Sequence, residues 1–304
     1  MIKKENTAFV FPGQGAQCPG MGLDIFKSSV EAEKIFKKAE LLRPGTIKQC
    51  FEGTKEELSL TQNTQPCIFT VDVAMANACQ QSGIEAGAYA GFSLGELAAL
   101  HVASAFEFEN AFNLICHRAN LMSRSASENP GVMYAVLGLE DYIIEAVCKS
   151  IGDCYPVNYN CPGQIVVACR DNYEEAFMTE IRNVNGRARK LAVSGAFHSP
   201  FMKMSSDELR RYLENVAFNE PVVPVYSNKT ACPYNGLHED EKKHILAMQL
   251  SSPVLWKNII SRMIADGIDT FIEVGPGKVL CGLISKINHN VRFYHAMDFM
   301  SKGE

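Results

Sequence analysis

The stretch "AYAGFSLGELAALHVASA", residues 88–105, sets a short apolar segment before a Gly-Phe-Ser-Leu-Gly turn and a longer apolar run after it. Glycines two places before and two places after Ser93 give the spacing of a nucleophile elbow, where a strand turns sharply into a helix. Ser93 then reads in one of two ways. It is either an exposed nucleophile whose oxyanion would face the amides of a helix N-terminus, or an N-cap between packing glycines.

Working outward, residues 7–11 form a short apolar strand that enters "PGQGAQCPGMG", residues 12–22, where prolines and glycines exclude regular structure. Helices are expected at about 28–41, 65–82 and 107–123, with a strand near 86–90 and a helix running from the elbow to about 105. The small polar run "SASENPG", 125–131, reads as a boundary. Beyond it, "MYAVLG" is a strand, "EDYIIEAVCKSI" a helix, "YPVNYN" and "QIVVACR" strands, "NYEEAFMTEIRN" a helix and "ARKLAVS" a strand. This β-α-β-β-α-β order predicts a ferredoxin-like insertion at 126–197 within a larger α/β unit made of 1–125 and 198–304. Ser199 and Pro200 then suit the cap and first position of a new helix. Alternation resumes with a strand near 223–226, helices near 239–249 and 254–266, a strand at 270–274 and a last helix from Lys278.

Composition narrows the function. The 304 residues are 47% apolar, enough for a large buried core. A net charge of -5 arises from 34 acidic and 29 basic residues that are well mixed, which argues against nucleic-acid binding or an anionic membrane surface. No apolar run approaches the roughly 18 residues of a membrane span, and the start "MIKKENTAFVF" lacks the apolar region of a signal peptide. Eleven cysteines without a C-x-x-C pair fit reduced thiols in a cytoplasmic protein, with neither a disulfide framework nor a zinc site. Neither metal nor redox cofactor is implied, and the chain is read as a monomer.

The chemistry turns on three further places. Of seven histidines, His198 in "SGAFHSPFM" stands at the junction of the insertion with the next helix, where it is a candidate base for Ser93 or a turn histidine in solvent. No acid sits in a setting that would complete a triad, so a neutral carbonyl is the expected orienting group. Arg118 has Leu114, Ile115, Leu121 and Met122 as its helical neighbours, placing a guanidinium in an apolar stripe. Such a group suits a bidentate grip on a substrate carboxylate or a structural pairing with a distant acid. The loop "FPGQGAQ", 11–17, fails the dinucleotide fingerprint because Cys18 stands where a glycine is needed. It is suited instead to present the Gln14 N–H beside that of Leu94 as an oxyanion hole. "EVGPGKVL", 273–280, reads as a packing turn.

Taken together, "FPGQGAQ", "GFSLGE" at 91–96, "HRANLM" at 117–122, "NYNCPGQ" at 158–164, "GAFHSPFM" at 195–202, "QLSSPVLW" at 249–256 and "EVGPGKVL" resemble the malonyl-CoA:acyl carrier protein transacylases over essentially the whole chain. The resemblance implies a hydrolase-like core with a mostly parallel sheet and the ferredoxin-like insertion already placed by pattern. It implies ping-pong transfer of a malonyl group from malonyl-CoA to the phosphopantetheine thiol of acyl carrier protein in fatty acid synthesis. The alternatives are a trans-acting polyketide synthase acyltransferase and a serine thioesterase or hydrolase. Carried onto this sequence, Ser93 is the nucleophile, His198 the base, Gln249 the carbonyl partner of the histidine ring, Gln14 and Leu94 the oxyanion donors and Arg118 the malonyl carboxylate ligand. Phe197 is then the ring that excludes a methyl branch. The chain departs from the family pattern at Phe92, where histidine is common.

Overall fold

A computed structural model describes residues 3–193 and 195–300. Five parallel strands, β1 (Thr7–Phe11), β2 (Ala88–Gly91), β7 (Val225–Tyr226), β8 (Thr270–Glu273) and β9 (Arg292–His295), form one sheet in the order β7-β2-β1-β8-β9. Every residue of β1, β2 and β8 is buried, as expected of central strands with helices on both faces. Alternate side chains divide between those faces. Phe9, Phe11, Tyr89 and Ile272 join the core beneath the Thr61–Gln81 and Phe108–Glu128 helices, whereas Ala8, Val10, Ala90 and Phe271 pack on Trp256, Ile259 and Ile260.

The second sheet is antiparallel, with β3 (Gly131–Leu137), β4 (Cys154–Cys161), β5 (Gln164–Arg170) and β6 (Arg187–Lys190) in the order β4-β5-β3-β6. Helices Asp141–Ile151 and Glu174–Asn183 connect β3 to β4 and β5 to β6. The β-α-β-β-α-β unit expected from the sequence is therefore present, with its own core around Val136, Ile144, Val167 and Phe177. Strand β4 is tied to the larger unit through the segment before the Trp256–Ala265 helix, where Tyr159 N donates to the Val254 carbonyl and Val254 N to that of Val157.

Two local expectations change. The run "SASE" is helical to Glu128. Its small residues serve close packing: Ser125 and Ala126 are buried, and the Ser125 hydroxyl shares a 2.6 Å hydrogen bond with Ser205 of the Lys203–Leu213 helix. The alternation also continues past the helix Val279–Ile287 into edge strand β9 and the Met297–Met300 helix. Before the Lys203 helix, Ser199 accepts from Phe201 N at 3.3 Å and caps a single 3-10 turn, Pro200–Met202.

Candidate active site

Ser93 stands between β2 and the Gly95–Val102 helix with φ of 54°, a left-handed conformation that a side chain adopts only when its surroundings impose it. The flanking glycines make this possible. A Cβ on Gly91 would lie 1.9 Å from the Gly95 carbonyl carbon, and one on Gly95 would lie 2.2 Å from the Phe11 oxygen of β1. Asn228 clasps the turn from the loop after β7, accepting from Ser93 N at 2.7 Å and donating to the Gly91 carbonyl at 2.6 Å.

The His198 Nε2 lies 2.7 Å from Ser93 Oγ, although the two residues are 105 positions apart and flank the inserted sheet in sequence. His198 also has positive φ, 61°, and its Nδ1 donates to the Gln249 main-chain carbonyl at 2.9 Å. Because that carbonyl can only accept, the neutral ring keeps its proton on Nδ1 and leaves the Nε2 lone pair facing the serine. Burial, reinforced by the nearby Arg118 charge, depresses the His198 pKa to about 4, so the ring is neutral at physiological pH.

Arg118 is 1% exposed and has neutral hydrogen-bond partners. Its Nη1 donates to Gln65 Oε1 at 2.7 Å, and its Nη2 donates to Ser93 Oγ at 3.0 Å and Gln249 Oε1 at 2.8 Å. Its Nε is buried without a partner among the described residues. Burial draws the Arg118 pKa down to about 10, which still leaves it charged at neutral pH. A buried cation without a carboxylate in contact can take an anionic ligand as its partner, since an unpaired buried charge is costly.

Comparison with known proteins identifies the assembly. Residues 8–293 match the acyl transferase domain family. The chain is 37% identical over 292 residues to the malonyl CoA-acyl carrier protein transacylase of Bacillus subtilis (strain 168), covering 94% of this chain and 91% of that protein. The chain belongs to the acyl transferase family. Its fold superposes on an acyl carrier protein S-malonyltransferase from Vibrio cholerae with a TM-score of 0.92 at 33% identity, covering 97% of this chain and 99% of that one. A malonyl-transacylase solved in complex with a type II PKS acyl-carrier protein gives a TM-score of 0.90 at 32% identity over 95% of this chain and 94% of that one.

In this acyltransferase, Ser93, His198, Phe197, Leu94 and Gln14 all face one cavity of about 70 Å³. A Cβ on Gly13 would come within 2.4 Å of the Phe92 carbonyl, so only glycine lets the loop lie against the elbow and set Gln14 beside Ser93. Among the described residues, neither the Gln14 nor the Leu94 N–H donates to another protein group. Across Gln14, Phe92, Asn158 and Leu191 the cavity adjoins a second of about 180 Å³ between the two sheets. Phe92 itself packs its ring on Trp256, with centroids 5.6 Å apart.

Sequence reasoning missed Gln65, Asn228 and Glu96. Glu96 had a visible signal, an acid in the first turn of the apolar run "GELAAL", and it is fully buried. Gln65 and Asn228 carried none, since ordinary polar residues acquire their roles only through partners far along the chain. Among the described residues, no cluster of three or more His, Cys, Asp or Glu side chains could hold a metal ion. No helix of the described residues is long and apolar enough to cross a membrane.

Proposed function

We propose that the acyltransferase moves a malonyl group from malonyl-CoA to the phosphopantetheine thiol of acyl carrier protein through a malonyl ester on Ser93. The observation that carries this reading is Arg118: a buried, carboxylate-free guanidinium whose Nη2 lies 3.0 Å from the nucleophile. Malonyl thioesters bring a carboxylate to that position; acetyl thioesters would leave the charge stranded, a loss of about 3 to 5 kcal/mol for a fully buried group.

His198 Nε2 takes the Ser93 proton as Oγ attacks the thioester carbonyl. The oxyanion of the tetrahedral adduct is held by the Gln14 and Leu94 N–H groups, donors otherwise unused and, for Leu94, at a helix N-terminus. The adduct collapses, the C–S bond breaks, and the departing CoA thiolate receives the proton from His198. The carrier thiol then enters the same channel, gives its proton to His198 and attacks the malonyl ester. A second collapse breaks the ester bond and returns the proton to Ser93. The imidazolium formed in each half is steadied by the Gln249 carbonyl, so no acid is required behind the histidine.

Phe197, 5% exposed against the Ser93 cavity, limits room for a branched acyl group, a discrimination of about 1 to 3 kcal/mol per methyl. The channel lies between a large subdomain of 1–125 and 198–304 and a small one of 126–197. The eleven cysteines are free, consistent with action in the cytoplasm, where malonyl units feed fatty acid synthesis. The test is a transfer assay with malonyl-CoA and holo-acyl carrier protein. Malonyl-carrier is expected to form much faster than free malonate. Release of malonate at an equal rate, indifferent to carrier, would instead make the protein a thioesterase.

A further inference from the structure

Glu96 lies behind the reacting groups, 0% exposed, on the first turn of the helix that follows the elbow. Its carboxylate accepts from the Tyr234 hydroxyl, from Asn228 N at 2.9 Å and from Gln249 Nε2 at 2.9 Å. Asn228 N and Gln249 Nε2 can only donate, and with the Tyr234 hydroxyl as a third donor the pocket favours the carboxylate form. Burial raises its pKa, while the hydrogen bonds from Tyr234, Gln249 and Asn228 and the charge of Arg118 oppose that rise.

We infer that Glu96 is a positioning residue for acyl transfer, fixing the Gln249 amide in the one orientation that aims Arg118 at the substrate carboxylate. The inference rests on the malonyl-transfer reading above. Gln249 spends both amide hydrogens on acceptors, one on Glu96 Oε2 and one on the Ser93 carbonyl at 2.8 Å. Its oxygen is thereby left for Arg118 Nη2, at 2.8 Å. Turning the amide over would set oxygen against a carboxylate and a carbonyl, and N–H against a guanidinium. Glu96 therefore decides which way Gln249 points, and Gln249 decides where the guanidinium lies.

The amide between them has a second effect. A carboxylate in direct contact with Arg118 would occupy the donors that malonate needs. Set one residue back, Glu96 offsets the buried positive charge while the Nε of Arg118 stays free of any protein partner. The same carboxylate reaches the nucleophile by another route. Asn228, whose N–H it holds, accepts from Ser93 N and donates to the Gly91 carbonyl across the strained turn. One buried charge is thus linked to the elbow, to the carboxylate receptor and, through the Gln249 backbone, to the segment that orients His198.

The test compares acylation of Ser93 by malonyl-CoA and acetyl-CoA, followed by rapid quench and intact mass, in the wild-type protein and in Glu96→Gln and Glu96→Asp. In Glu96→Gln the charge is lost, so the hydrogen bond from Gln249 Nε2 becomes a neutral one and the amide is no longer held firmly against its turned-over form. Malonyl loading is expected to slow about 10- to 100-fold, the loss that follows removal of a charge-assisted hydrogen bond. Acetyl loading, which does not use Arg118, is expected to slow much less, so the malonyl-to-acetyl ratio falls by about tenfold. Glu96→Asp keeps the charge and recovers part of that ratio. Equal slowing of both substrates, or an unchanged ratio, overturns the inference by reducing Glu96 to scaffolding. Should Glu96→Gln fail to fold, Tyr234→Phe removes one donor from the carboxylate and is expected to move the ratio in the same direction; an unmoved ratio there overturns the inference equally. Wild-type protein that takes no malonyl adduct sinks the functional reading itself, whereas wild-type loading with an unmoved ratio sinks only the role of Glu96.

Discussion

Two carboxyl groups are wholly buried on helices that pack against the parallel sheet, and they differ in every other respect. Glu96 accepts three hydrogen bonds and sits one amide from a guanidinium. Asp72, on the Thr61–Gln81 helix, has no partner for either oxygen among the described residues. It lies under the Gly-Pro-Gly turn, where a Cβ on Gly275 would meet its Oδ1 at 2.1 Å and the Pro12 ring at 2.5 Å. Burial, with the Glu273 charge added, pushes the Asp72 pKa well above its ordinary value and favours its neutral form. The same residue class in the same apolar setting is therefore drawn toward its charged form where donors converge and toward its neutral form where none do. The charged one serves the reacting groups.

Removing each acid separates the two cases. Glu96→Ala strands the donors of Tyr234, Asn228 and Gln249 and the charge of Arg118, and is expected to cost about 3 to 5 kcal/mol in denaturant unfolding. A loss under 1 kcal/mol would mean that the network relaxes without it. Asp72→Asn is expected to act through pH. Because the folded pKa is raised, the folded state holds a proton that the unfolded chain loses above about pH 4. Wild-type stability therefore falls as pH rises from there toward the folded pKa, with a limiting slope of about 1.4 kcal/mol per pH unit from this group. The variant lacks that contribution, so its stability relative to wild type should climb with pH across the same window. A constant difference from pH 4 to 8 would show that Asp72 ionises normally.

His198 gives the most local effect. With its pKa depressed to about 4, the rate of Ser93 acylation by malonyl-CoA should stay level as pH drops toward 5 and decline only near 4. Arg118→Met removes the charge that helps depress it and should move the acid limb upward, while malonyl loading collapses. A wild-type limb near 6.5 would contradict the burial that the geometry assigns to this ring.

What the sequence disclosed and withheld follows from the range of the interactions. The elbow was legible because its glycines and serine lie within five residues and answer a local steric demand. The inserted unit was legible because two strand and helix periods alternate over one short segment. Arg118 showed itself as a charge in an apolar stripe, a contradiction visible one turn in each direction. Asn228 and Gln65 make sense only beside Ser93 and Arg118, partners 135 and 53 residues away. The extension of the helix to Glu128 was hidden because serine and alanine spell a linker in sequence and a tight helix crossing in space. Edge strand β9 is short and half exposed, so it offers little apolar alternation to read.

The central claim is that Ser93 carries a malonyl group between two thiols. Its most direct test is the intact mass of the protein after brief exposure to malonyl-CoA, followed by addition of holo-acyl carrier protein. The account predicts a single malonyl adduct that maps to Ser93, is absent in Ser93→Ala and disappears as malonyl-carrier forms. An adduct that persists in Ser93→Ala, or wild-type protein that stays unmodified while malonyl-carrier accumulates, would contradict it.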